Sequence, residues 1–153
     1  VLVGLLAGPA LAGDWGGIVP GETTTGGVRL KYGAPTRTRK EIVEAYDTTQ
    51  WIYEGPQAPS GIRRMVVDFG LLTPGGYKAD LVRSLRLEPS VSTFNRAIVL
   101  EGWGTPSSVS REKDYDVYFY REGLFVYFKP NGADIDFMRF TPPQPRDAGG
   151  RRP

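Results

Sequence analysis

Two stretches of this chain end in the same punctuation. Val28–Thr36 reads VRLKYGAPT and Val99–Ser107 reads VLEGWGTPS, in each case an aromatic, a glycine, a spacer and a proline. A glycine just past an apolar-periodic segment supplies the left-handed residue that stops a helix, and a proline beyond it forbids resumption. In the first stretch Thr23, Thr24 or Thr25 is placed to cap the helix, and Val28 and Tyr32 lie one turn apart on one face. In the second, Ser92 or Thr93 is placed to cap, and Asn95, Val99 and Trp103 come after it at turn spacing. Tyr32 and Trp103 occupy the last helical turns, where an aromatic packs down onto a sheet as a core anchor.

The segments downstream of the two corners also match. QWIYEG, IRRMVVDFGLL and KADLVRSLRLEP come after the first, and DYDVYFYREG, LFVYFKPNG and DIDFMRFTP after the second. Runs of β-branched and aromatic residues broken by Gly, Pro and Asn read as three strands per copy. Glu122-Gly123 and Asn131-Gly132 read as tight hairpin turns, and the last strands share an apolar-Arg-apolar ending, Leu85-Arg86-Leu87 beside Met138-Arg139-Phe140. The expected fold is α+β: a tandem duplication of a helix plus a three-stranded antiparallel meander, with the helices on one face of the sheet. Burial explains the doubling, because one such unit alone makes a thin core. The units are expected over 13–88 and 89–141, parted at Glu88-Pro89-Ser90, with 142–153 a disordered tail of proline, glycine and charge. The segment TRTRKEIVEAYDTT fits either a short helix or an irregular lead into a strand.

Residues 1–12, VLVGLLAGPALA, are apolar and uncharged and end in Ala10-Leu11-Ala12 ahead of Gly13-Asp14, as part of an export signal with its cleavage site would. A membrane anchor is the alternative. The chain has no cysteine, so an exported form relies on its core without disulfides or a lipid-bearing thiol. It has no histidine either, which removes the commonest general base and metal ligand. Nineteen basic residues against seventeen acidic ones leave a formal charge of +2, too small and mixed to imply nucleic acid. Arg29, Lys31, Arg37, Arg39 and Lys40 form a local basic cluster that reads as a solvated face, with contact to an anionic lipid or an acidic protein as the alternative.

Gly21-x-Thr23, Val28, Tyr32-Gly33-x-Pro35 and Trp51-x-Tyr53 together resemble the signature of small outer-membrane assembly lipoproteins of the SmpA/OmlA (BamE-like) type. The tandem arrangement is similar to that of the secreted β-lactamase inhibitor proteins. The resemblance spans Val19 to Phe140 and implies a helix-and-sheet fold with a protein partner. Gly13 and Asp14 stand where the lipoproteins carry their anchor cysteine, and the disulfides of the inhibitors have no counterpart.

Within the second unit, Tyr118, Tyr120, Phe125 and Tyr127 are expected to share the face left free if Leu124, Val126 and Phe128 meet a helix. That set is either an aromatic platform for a partner protein or a surface packed against the first unit. Trp51 and Tyr53 share a strand face and belong to core or platform. For catalysis the best candidate is the carboxylate pair Asp134 and Asp136, which a solvated hairpin end explains better. The resulting expectation is an exported, non-catalytic protein-binding module of the periplasm or cell envelope, an adaptor or inhibitor-like protein without cofactor, metal or nucleic-acid partner. Its partner is expected to be another envelope or secreted protein, with weak outer-membrane association left open. The alternatives are an outer-membrane protein assembly factor and a small carboxylate-dependent hydrolase.

Overall fold

The computed structural model describes residues 14–91 and 93–143. The expected leader over 1–12, the cap candidate Ser92 and all of the expected tail beyond 143 lie outside the described residues. The described residues form two short α-helices, besides a single 3-10 turn at Gly55–Gln57. Helix α1, Thr25–Tyr32, starts where the Thr24 side chain accepts a hydrogen bond from the Gly27 amide, and it stops at Gly33, φ 74°. Helix α2, Arg96–Trp103, starts at Asn95, whose side chain accepts from the Ile98 amide at 2.9 Å, and stops at Gly104, φ 77°. The cap of α2 is therefore Asn95 and not Thr93, because only Asn95 sits immediately before the helix in extended backbone with its oxygen turned to the first turn. Each stop glycine returns its amide to a carbonyl four residues back, Arg29 and Leu100 respectively. Among the described residues no helix is long and apolar enough to cross a membrane.

The strands are β1 Arg37–Val43, β2 Tyr46–Glu54, β3 Ile62–Thr73, β4 Gly76–Pro89, β5 Ser108–Glu112, β6 Tyr115–Tyr120, β7 Leu124–Phe128 and β8 Ile135–Phe140. They form one eight-stranded sheet in the order β1-β2-β3-β4-β8-β7-β6-β5, antiparallel at every junction. This corrects the expected fold. The molecule is a single antiparallel sheet carrying two helices, not a tandem of helix-plus-three-strand units. Two strands were missed, β1 and β5, and they are the two edges. TRTRKEIVEAYDTT is neither helix nor irregular lead: it forms β1, the turn at Glu44-Ala45 and the start of β2. At the centre β4 and β8 pair directly, Leu85 with Phe140, Arg86 with Arg139 and Leu87 with Met138. The two apolar-Arg-apolar motifs are thus laid side by side, and this seam is three residue pairs long.

Register places the core on one face. Trp51, Val67, Leu85, Phe140, Leu124 and Tyr120 are successive partners across six strands, as are Tyr53, Met65, Leu87, Met138, Val126 and Tyr118. All belong to one buried cluster, to which α1 contributes Val28 and α2 contributes Val99, each the one buried residue of its helix. Tyr32 and Trp103 pack against that cluster half-buried, and Trp51 and Tyr53 lie within it. Ring pairs repeat across the seam: Trp51 meets Phe69 edge-on at 4.7 Å, and Tyr118 meets Phe128 edge-on at 4.7 Å.

Candidate functional site

Because both helices lie on the core face, the opposite face of the sheet is left uncovered among the described residues. A second register row crosses it from edge to edge: Arg37, Ile52, Val66, Arg86, Arg139, Phe125, Phe119 and Ser108. Side chains directly opposite on neighbouring strands share a face, so this row sits on one surface. Its two halves differ in chemistry.

Over β2 to β4 the face is a lattice of arginines and carboxylates. Asp68 accepts from Gln50 at 2.8 Å and from Ser84 at 2.9 Å. Glu88, buried to 8% exposure, receives Arg63 at 2.7 Å and lies 3.8 Å from both Arg64 and Arg86. The Nε of Arg64 is buried without a hydrogen-bond partner, its carboxylates Glu54 and Glu88 each standing at 3.8 Å. A shallow depression of about 280 Å³ opens here, lined by Arg39, Gln50, Arg64, Arg86, Glu88 and Arg139 among others.

Over β6 to β8 the face is aromatic. Tyr127 stacks on Phe137 at 4.2 Å, Phe119 lies 4.8 Å from Phe125, and Tyr115 stands edge-on to Tyr127 and Phe137. These five rings are half-buried, although no element covers them among the described residues. The Tyr115 hydroxyl donates to Asp136 at 2.9 Å, and that hydrogen bond, more than any other influence, raises its pKa. Burial chiefly raises the Tyr127 pKa, with the Glu112 carboxylate adding to it. Arg86 joins the two halves, its guanidinium 3.8 Å above the Phe137 ring.

The expected platform is divided by this geometry. Phe125 and Tyr127 are on the open face, but Tyr118 and Tyr120 are buried in the core, 8% and 2% exposed. The turn is the reason. A loop of Glu122-Gly123 alone would pair Tyr120 with Phe125, whereas the observed loop spans Arg121, Glu122 and Gly123 and pairs Tyr120 with Leu124. One residue of register exchanges the faces. Phe119 and Tyr115 were missed for the same reason, whereas Phe137, Arg86 and Arg139 reach this face through the pairing of β8 with β7 and β4.

The two aspartates are separately engaged. Asp134 accepts from the Asn131 side chain at 3.1 Å within its turn, while Asp136 accepts from Tyr115. Among the described residues no group of three or more His, Cys, Asp or Glu side chains is placed to hold a metal ion.

No family model and no curated protein matches the chain. Among solved structures it is similar to a DUF4309 family protein (YjgB) from Bacillus subtilis subsp. subtilis str. 168, at 13% identity and a TM-score of 0.51, with 83% of each chain covered. That likeness concerns the fold alone. Together with the eight-stranded sheet it overturns the resemblance to BamE-like lipoproteins and β-lactamase inhibitor proteins. The residues that carried the resemblance serve local purposes here: Gly33 stops a helix, and Trp51 and Tyr53 fill the core.

Proposed function

We propose that this protein is a non-catalytic binding module that docks a partner protein on the open face of its sheet. One observation carries the reading: Phe119, Phe125, Tyr127, Phe137 and Tyr115 are gathered on the side of the sheet away from both helices. Interlocked rings on a flat, rigid surface are the residues that dominate binding energy at protein interfaces, because they bury much area at little entropic cost. The apolar run at 1–12 supports an exported setting with an envelope or secreted partner. The assembly-factor alternative loses the resemblance on which it stood.

Photo-crosslinking in cells of the native organism tests the reading. A photoreactive phenylalanine analogue at Phe125 captures a defined partner, and the same analogue at Leu30, 90% exposed on α1, does not. Phe119→Ser with Tyr127→Ser abolishes that capture and leaves the circular-dichroism spectrum intact. Equal capture from both positions, or none from Phe125, overturns it.

A further inference from the structure

We infer that the pair Arg86 and Arg139, at the seam between the polar and aromatic halves, receives a carboxylate side chain of the partner polypeptide, with Phe125 and Phe137 receiving its apolar neighbour. This rests on the open face being the docking surface. The two arginines are direct cross-strand partners, an arrangement in which like charges repel. Arg86 is partly compensated by the Phe137 ring at 3.8 Å and by Glu88 at 3.8 Å. Arg139 is exposed and has no ion-pair partner among the described residues. Glu88 is engaged by Arg63 at 2.7 Å and stands 3.8 Å from Arg64 and Arg86, and among the described residues no ion pair runs from it to Arg139. The buried, unpartnered Nε of Arg64 borders the same depression. The site therefore holds unbalanced positive charge and unused donors, and guanidinium forks match a carboxylate in two parallel hydrogen bonds.

A polypeptide fits better than a free anion because of the rings beside Arg139. Phe125 is its direct partner on β7, and Tyr127 with Phe137 lies one register step on. An extended segment with a carboxylate on Arg139 sets its next same-face side chain, about 7 Å along, over these rings. A small anion would leave them uncovered.

Amide chemical-shift mapping of the full chain decides the matter with three probes: a capped peptide alternating glutamate and phenylalanine, its glutamine counterpart, and inorganic phosphate. The expected result is that the glutamate peptide moves the amides of Phe125, Phe137 and Arg139 and binds about tenfold more tightly than the glutamine peptide. Arg139→Gln erases that difference, Arg139→Lys restores part of it, and neither lowers the melting temperature. Equal binding of both peptides on this face overturns the carboxylate site and leaves the docking surface standing. Binding of neither peptide to the face overturns both. Phosphate matching the glutamate peptide in affinity at the same amides overturns the polypeptide assignment.

Discussion

The hydroxyl of Tyr120 donates to the carbonyl oxygen of Gly104 across 2.9 Å, tying strand β6 to the residue that stops α2. Tyr53 does the same for Gly33 and α1 at 2.8 Å. Each bond satisfies a carbonyl at a helix end that has no partner within the helix. Tyr120→Phe is expected to cost about 1 to 2 kcal/mol in urea unfolding, and the double change with Tyr53→Phe about twice that, since the sites are separate.

The same phenol makes stability fall in alkali. Burial pushes the Tyr120 pKa from 10.0 up to about 12, and burial also raises that of Tyr53. The folded state keeps the proton while the unfolded chain releases it, so the contribution is complete below pH 10 and is lost between pH 10 and about 12. Urea midpoints measured across that window are expected to decline, and to decline less in Tyr120→Phe.

Arg96 opens α2 and is also a hub. It donates to the Gly132 carbonyl at 2.7 Å, the Tyr118 hydroxyl at 2.9 Å and the Asp116 carboxylate at 3.2 Å, and its guanidinium lies 4.4 Å from the centre of the Phe128 ring. Arg96→Ala is expected to lower stability by about 3 kcal/mol, and Arg96→Lys to recover less than half, because a point charge cannot reproduce the planar fork. Thermal melts of the three proteins check the order.

Two glycines should respond differently to the same methyl group. At Gly104 an added Cβ meets nothing within 4 Å, so Gly104→Ala carries only the backbone strain of φ 77° and ψ −159°, a region nearly reserved for glycine, about 1 to 3 kcal/mol. At Gly123, φ 113°, the Cβ would collide with the Thr141 carbonyl oxygen. Gly123→Ala is expected to exceed about 3 kcal/mol by chemical denaturation, as strain and overpacking add.

The β1-β2 hairpin carries avoidable strain. Glu44 and Ala45 both take positive φ, 49° and 68°, in a two-residue turn where Asn-Gly is preferred. Glu44→Asn with Ala45→Gly is expected to stabilise the protein by about 1 kcal/mol, read as a raised melting temperature.

That hairpin also shows where sequence reasoning stops. The helix ends were legible at Gly33 and Gly104 because a stop is a local device. The inner strands were legible because their apolar residues are dense. Strand β5 is exposed at every position and β1 at most of its positions, so neither shows a buried alternation, and Glu44-Ala45 gives no turn signal. The platform was assigned on faces alone, and faces depend on a single residue at Gly123. Alternation offered no second check, since Ile52, Val66 and Val117 are buried on the open side while Tyr118 and Tyr120 are buried on the other. The pairing of Arg86 with Arg139 joins distant segments and has no local signature.

The central seam has a mechanical meaning. Strands β1 to β4 and β5 to β8 meet through three residue pairs, against ten between β3 and β4, so tension applied across the molecule concentrates at its middle. A guest gripping Arg86 from one side and Arg139 from the other would act as a clasp over that joint, and occupancy would then be felt as cohesion between the halves, readable as slower hydrogen exchange at Leu85 and Phe140.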